Sequence, residues 1–279
     1  LSTIVTGSGP NIHEGVTTLI EGPDGNWWAV FLACRPIKDG YQTTGRETFL
    51  LPVTWTRDGW PVILPSGQAV PHVAPRPRLP ASQPSPTPTS GPFSTLEEFT
   101  GAALGQDWMS MRGPADRWAR LRDGALELVP QPVGLGDLAT PAFVARRQQH
   151  MRMEAATQVD FRPGPGEAAG LAILQRDEYW YAFVLADAGR GKRSLQLLVR
   201  DGAESPRAGR LIAQAAAPDG PVKLRILVDA DRVHFDWARP GQPWQRLVSD
   251  ADATILSTFR ARGFVGAMVG PYAVQSPVP

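Results

Sequence analysis

The densest group of residues that could do chemistry is a run of tryptophans and arginines in the first sixty positions. Trp27 and Trp28 are followed by Arg35, and then by Arg46 and Trp55. Aromatic rings beside a fixed guanidinium suit sugar binding, because C–H faces stack on indole while arginine donates in a rigid fork to hydroxyl or carboxylate oxygens. Large aromatic side chains also commonly fill a core. The composition alone leaves both interpretations open.

Signatures of other chemistries are absent from the sequence. It contains no Gly-x-Gly-x-x-Gly between a strand and a helix, no Walker loop, no Gly-x-Ser-x-Gly elbow and no His-Glu-x-x-His pair. The four histidines are scattered without the spacing of a metal site. They are His13, His72, His150 and His234. We therefore expect neither a metal centre nor a cofactor.

Charge and composition narrow the choice of partner. The 279 residues carry 28 Lys and Arg against 27 Asp and Glu, a formal net charge of +1. This balance lacks the basic stripe that nucleic acid or an anionic membrane surface requires. The longest apolar run, from Trp27 to Cys34, is far shorter than the roughly 20 residues that cross a bilayer. The single cysteine excludes an internal disulfide and a thiolate metal cluster.

The first part of the sequence predicts one small antiparallel sheet. With 28 Gly and 28 Pro, the chain is typical of proteins built from many short strands and turns. About 70 residues supply no second layer to cover a sheet, so this part fits one blade of a propeller, or part of one. The predicted strands are residues 16–20, 27–35, 48–55 and 61–64.

The remainder predicts a linker and a second domain. Seven prolines with Ser and Thr between them lie in residues 74–92, a composition that favours polyproline II. Beyond it, nine or more strand-like runs predict a β-sandwich of the jelly-roll or concanavalin-like kind, with 264–269 as the last strand and one helical turn within 250–259. The predicted domains are 1–73, a partial β-propeller, and 93–279, a C-terminal β-sandwich.

Several stretches resemble glycoside hydrolase family 43, the β-xylosidases and α-L-arabinofuranosidases. PDGNWWAVFLACRP (23–36), GRETFLLPVTW (45–55) and DGWPV (58–62) are similar to the closing blade of that family's propeller. FVARRQQH (143–150), AAGL (168–171) and GFVGA (263–267) are similar to its C-terminal sandwich. The resemblance implies an all-β chain: the terminal part of a five-bladed β-propeller followed by a concanavalin A-like sandwich.

The resemblance also implies a reaction, the hydrolysis of xylo-oligosaccharides or arabinosides from their non-reducing ends with inversion. Inversion needs two carboxylates, a base for water and an acid for the leaving oxygen, about 6.5–9.5 Å apart. In the family these carboxylates come from earlier blades. We therefore assign no catalytic residue to this chain, interpret Glu47 as structural, and expect the chain to need the missing N-terminal blades for activity.

Two substrate-binding residues follow from the same resemblance. Arg46 matches the family arginine of the Gly-Arg-Glu-Thr motif, which would donate to sugar oxygens and keep nearby carboxylates ionised. Phe264 matches a phenylalanine that the sandwich projects toward the pocket, closing it around a terminal sugar. Some members bind calcium near a central histidine, but Val16 stands at that position here and His13 lies three residues earlier. Calcium is therefore not assigned.

A second hypothesis makes the sandwich a non-catalytic carbohydrate-binding or structural module. Exposed, coplanar tryptophans on one face, drawn from Trp180, Trp237 and Trp244, would be its binding platform. Buried indoles would instead favour the glycosidase interpretation. The sequence is compatible with a homo-oligomer and with a bacterial cytoplasmic or periplasmic location.

Overall fold

The structure, a computed structural model, describes residues 17–71, 73–81, 83 and 91–276. The chain divides into two compact units, and each unit is built from two separate stretches of the sequence. One unit comprises the chain up to Pro36 together with Arg46–Glu98, and the other comprises Ile37–Gly45 with Phe99–Pro279. A short segment between two strands of the first unit thus folds with the second. Much of the predicted linker lies outside the described residues, and the domain boundaries at 73 and 93 stay a prediction.

The first unit contains the predicted four-stranded antiparallel sheet, with its strands in sequence order. Alternate residues of the two central strands point to one face and are buried there, among them Ala29, Phe31 and Leu51. The turn after the first strand is closed by Asp24, whose carboxylate accepts from the backbone and side chain of Asn26. The strands are β1 (Thr17–Glu21), β2 (Trp27–Cys34), β3 (Arg46–Trp55) and β4 (Pro61–Val62).

The second unit is a sandwich of a seven-stranded and a four-stranded sheet, with a separate hairpin of β6 and β7. The large sheet has the order β13-β12-β11-β10-β17-β8-β5, and the small sheet β16-β15-β14-β9. The strands are β5 (Met109–Ser110), β6 (Ala119–Arg122), β7 (Ala125–Leu128), β8 (Ala142–Arg147), β9 (Arg152–Val159), β10 (Glu167–Arg176), β11 (Tyr179–Asp187), β12 (Arg193–Asp201), β13 (Arg210–Ala216), β14 (Val222–Asp229), β15 (Arg232–Ala238), β16 (Gln245–Asp252) and β17 (Met268–Gln275).

The core of the sandwich lies between its two sheets, and the large sheet is covered on its other face as well. Phe183 on β11 and Phe235 on β15 meet edge to face in the core at 5.8 Å between ring centroids. The next residues along β11, Ala182 and Val184, point the opposite way and are also buried. Loop residue Leu135 packs over that outer face. Burial on both faces explains why β11 is a continuous apolar run rather than an alternating one.

The structure corrects the expected last strand, adds strands that were not expected, and confirms the expected helical turn. The last strand begins at Met268, so Phe264 lies in a loop and not in the expected strand 264–269. Strands β13 and β16 were not expected; both are edge strands with largely exposed side chains, which blur the alternation. The expected helical turn is a 3₁₀ turn at Ala253–Leu256 followed by α1 (Thr258–Ala261). No helix in the described part of the chain is long and apolar enough to span a membrane.

A buried carboxylate holds the outer face of the small sheet. Asp236 on β15 is 2 % exposed and accepts from Arg225 at 2.6 Å and from Arg246 on the neighbouring strand. The guanidinium of Arg225 lies over the Trp244 ring, 4.4 Å from its centroid. Both arginines remain partly exposed, so the cost of desolvating the network is moderate.

We expect Asp236→Ala to lower the free energy of unfolding by about 2–3 kcal/mol, because it leaves two arginines without their shared acceptor. The matched control is Asp229→Ala on β14, which removes an exposed ion pair with Arg152 and should cost below about 1 kcal/mol. Urea unfolding followed by circular dichroism measures both. Equal effects of the two substitutions would contradict the importance of the buried network.

Candidate functional site

Phe264, one of the two predicted substrate-binding residues, lies on a loop between α1 and β17. Its side chain is 67 % exposed, in contrast to the large aromatic residues of the core. Two successive residues, Arg262 (φ 62°) and Gly263 (φ 79°), take the left-handed conformation and turn the chain outward. The loop therefore presents an aromatic ring to solvent.

The backbone of this loop is anchored from the sheet below it. Gln175, at the end of β10 and 4 % exposed, donates through its side-chain amide to the carbonyls of Arg262 and Val265, each at 3.2 Å. Arg176 donates to the carbonyl of Ala261 at 3.2 Å. Carbonyls on both sides of Phe264 thus have donors, and the exposed ring sits on an ordered backbone.

The segment Ile37–Gly45 packs against the same loop within the second unit. Gly45 pairs with Val265 in an antiparallel bridge, and the amide of Ala267 donates to the carbonyl of Thr43 at 2.8 Å. The Tyr41 ring meets the Phe259 ring edge to face at 5.2 Å. The segment therefore extends the sandwich by a short strand-like addition beside the Phe264 loop.

Buried side-chain amides complete this packing. Gln148, 2 % exposed, donates to the hydroxyl of the fully buried Thr43 at 2.9 Å and to the carbonyl of His150 at 3.0 Å. Gln42 donates to the hydroxyl of Thr258 at 2.6 Å. Sequence reasoning placed Gln148 only inside a matching stretch and gave it no role. A glutamine that follows a buried strand and is itself buried needs such partners.

Two glycines allow the closest approach in this region. A Cβ on Gly45, which has φ 73°, would lie 2.3 Å from the amide nitrogen of Gly266. A Cβ on Gly266 would lie 2.3 Å from the carbonyl oxygen of Thr44. Both contacts are with backbone atoms, which cannot move aside as a flexible side chain can. The two glycines are therefore a requirement of the packing.

Arg46, the other predicted substrate-binding residue, is the first residue of β3 in the first unit. It is exposed and pairs in register with Cys34 of β2. Its neighbour Glu47 accepts from Arg35 in a two-pronged pair at 2.6 and 2.5 Å, an arrangement that fits the structural role expected for Glu47. The hydrogen bonds that Arg35 donates to this carboxylate raise the pKa of Arg35.

The tryptophans divide between core and surface. In the first unit Trp28 is buried, whereas Trp55 is 45 % exposed and packs edge to face on Trp27 at 5.3 Å. In the second unit Trp180 is buried, and Trp244 lies under Arg225. The exposed indole platform that a binding module would need is not found for these residues. Trp237, the third candidate, is half-buried against the core.

The calcium expectation falls on residues that the structure does not describe, since both His13 and Val16 lie outside the described part. Within the described ranges, no three His, Cys, Asp or Glu side chains are grouped so that they could hold a metal ion.

We expect Gly266→Ala to lower the free energy of unfolding by about 2–4 kcal/mol, because the new methyl group collides with the Thr44 backbone. Gly263→Ala in the same loop is the control, since its Cβ would enter open space and meet only the cost of its positive φ, about 1–2 kcal/mol. Urea unfolding gives both values. Trypsin cleavage after Lys38 should accelerate only in Gly266→Ala; equal behaviour of the two variants would show that the close approach is not required.

Comparison with protein families matches nearly the whole chain. Residues 96–278 match the model of the β-xylosidase C-terminal concanavalin A-like domain, and residues 5–61 match that of glycosyl hydrolases family 43. A non-reducing end α-L-arabinofuranosidase of Bacteroides ovatus is 29 % identical over 269 residues, 93 % of this chain and 47 % of the relative. A β-xylosidase of Bacillus subtilis is 25 % identical, over 92 % of this chain and 50 % of the relative.

Solved structures agree. A single-site mutant of the family 43 protein BlXynB of Bacillus licheniformis superposes with a TM-score of 0.83 at 28 % identity, over 96 % of this chain and 51 % of that one. A xylan β-1,4-xylosidase of Bacillus halodurans gives 0.79 at 27 % identity, over 93 % and 49 %. The chain thus spans about half the length of the relatives it matches. It belongs to glycoside hydrolase family 43, as a C-terminal portion with the β-xylosidase-type concanavalin A-like sandwich.

Proposed function

We propose that this chain is the C-terminal part of an inverting glycosidase that removes xylose or arabinose from the non-reducing ends of xylo-oligosaccharides or arabinosides. In this proposal, residues 1–73 are the closing blade and residues 93–279 the sandwich that shapes the substrate site. The catalytic acid and base lie upstream, so the chain by itself is inactive. Support comes from the names of its relatives, which include both arabinofuranosidases and β-xylosidases.

The observation that carries the proposal is the contrast between the exposed ring of Phe264 and the ordered backbone beneath it. An aromatic side chain that is 67 % exposed gains little from folding. Its loop is nevertheless held by the Gln175 amide and by the glycine contact with Thr44. Such an arrangement suits a ring that stacks on an apolar sugar face, since little conformational freedom is lost on binding. Phe264 is therefore proposed to cap the terminal sugar.

Arg46 is proposed to donate to oxygens of a sugar substrate. It stands at the first position of β3, directly after Gly45 in the chain. The strand start is fixed by register pairing with Cys34 and by the neighbouring Arg35–Glu47 pair. A guanidinium on a fixed strand end presents its donors in a defined direction, as sugar hydroxyls and carboxylates require.

Hydrolysis of 4-nitrophenyl β-D-xylopyranoside and 4-nitrophenyl α-L-arabinofuranoside tests whether activity needs the upstream part of the protein. The 279-residue chain alone should release no nitrophenol above background. The same chain joined in frame to the coding sequence directly upstream should release it, and NMR of the first product should show inversion at the anomeric carbon. Turnover by the chain alone, or retention in the joined protein, would overturn the proposal.

In the joined protein, we expect Phe264→Ala to raise KM for the aryl xyloside about three- to tenfold, because one aromatic stacking contact with the sugar is lost. Phe259→Ala is the matched control, since that ring is 60 % exposed and packs on Tyr41. It should leave KM within a factor of about two. Steady-state kinetics measure both variants, and an unchanged KM for Phe264→Ala would remove this residue from the substrate site.

A further inference from the structure

The sandwich carries a cavity of about 390 Å³ that is not part of the site proposed above. It lies on the outer face of the seven-stranded sheet, within the second unit, and does not include Phe264 or its loop. Its floor is formed by β10, β11, β12 and β17, and its walls by the loop before β8 and the loop between β12 and β13. A volume of this size lies within the range of small-molecule sites.

The floor of the cavity is apolar and made largely of small side chains. Ala182, Val184 and Ala186 follow one another on the outward face of β11, with Trp180 at one end of the row. Tyr272 of β17 also faces the cavity, and burial raises the pKa of its phenol well above the usual range, so the group stays uncharged. Because Ala182 and Ala186 have small side chains, space for a ligand remains above this apolar floor.

The walls are fixed by a buried arginine. Arg200, 5 % exposed, donates to the carbonyls of Gly136 at 3.1 Å, Asp177 at 2.6 Å and Ser205 at 3.3 Å. These carbonyls belong to three different loops around one end of the cavity. Gly209 lies against the Trp180 indole so closely that a Cβ would approach it to 2.4 Å. The cavity is therefore preformed and does not depend on a ligand to shape it.

Polar groups surround this apolar floor at the rim. Asp137, Glu167 and Asp187 are half-buried, and each accepts one backbone amide within its own loop, at 2.8, 2.8 and 3.1 Å. In the described part of the chain, the second oxygen of each carboxylate has no hydrogen-bond donor. Gln196 adds a half-buried amide, and Arg207 an exposed guanidinium. The rim thus offers fixed acceptors and two kinds of donor.

We propose that this cavity is a second saccharide site, separate from Phe264, which holds one or two sugar residues of a neutral oligosaccharide. A pyranose combines an apolar C–H face, matched by the floor, with hydroxyl donors, matched by the carboxylates. An anionic ligand would meet three carboxylates, and an aliphatic chain would desolvate them without replacing their hydrogen bonds. The choice of xylo-oligosaccharide as the sugar rests on the proposed function.

Calorimetric titration of the 279-residue chain with xylobiose tests the proposal. Ala208→Trp places an indole at the exposed rim of the cavity and should weaken binding at least about tenfold by filling it. Ala203→Trp is the matched control, since it adds the same side chain to the same loop at an exposed position outside the cavity. That variant should bind as the unaltered chain does, and urea unfolding should show that both fold.

The outcomes separate this site from the sugar contact proposed for Phe264. Binding that is lost in Ala208→Trp and kept in Phe264→Ala supports the cavity, whatever the result with aryl glycosides. Binding that is lost in Phe264→Ala and kept in Ala208→Trp overturns the cavity and leaves the proposed function standing. Absence of xylobiose binding to the unaltered chain, or binding of the hydrophobic dye anilinonaphthalene sulfonate in the cavity without xylobiose binding, also overturns it.

Discussion

The packing of the second unit depends on two stretches of backbone lying against each other without side chains between them. Thr44 and Gly45 approach Val265 and Gly266 to a distance that leaves no space for a Cβ at either glycine. In the sequence, Ile37–Gly45 connects β2 and β3 of the first unit. The close approach of the two backbones makes this segment part of the sandwich. Both flanks of the Phe264 loop are then determined by backbone contacts.

Buried polar side chains make this arrangement specific rather than merely compact. The buried side-chain amides of Gln148 and Gln175 donate to backbone carbonyls and to the Thr43 hydroxyl. A buried carbonyl that loses its donor costs about 1–3 kcal/mol, so alternative positions of the loop are disfavoured. The amides order the loop, while the largely exposed aromatic ring gains little from burial. An ordered loop with an exposed ring is what the proposed sugar contact of Phe264 requires.

Much of the fold could be predicted from the sequence because most strands carry a clear pattern. In β14 the residues from Val222 to Ile226 alternate between apolar and charged side chains, and the structure buries every second residue of the strand up to Val228. Phe264 was misplaced in a strand because its apolar neighbours read as one run, whereas the left-handed backbone at Arg262 and Gly263 breaks it. Edge strands such as β16 were not predicted, because the side chains of an exposed strand need not alternate between apolar and polar.

The site was harder to predict than the fold. Arg46 and Phe264 came from resemblance to a family and not from any local pattern. The partners that hold Phe264 in place, Gln175 and Gly266, are ordinary residues far apart in sequence, and only the folded chain brings them together. Trp180, a candidate for the surface platform of the second hypothesis, is the buried end of a cavity floor. A tryptophan in an apolar run gives no sign of which face it occupies.

Native-state hydrogen exchange of the full chain tests the central claim, that Ile37–Gly45 and the Phe264 loop are one ordered part of the sandwich. The amides of Ala267 and Thr258 donate to carbonyls of that segment, at 2.8 and 3.2 Å. The account predicts that both exchange as slowly as the amides of β10 and β17, through opening of the sandwich. Rapid exchange at Ala267 and Thr258, while β10 and β17 stay protected, would contradict it.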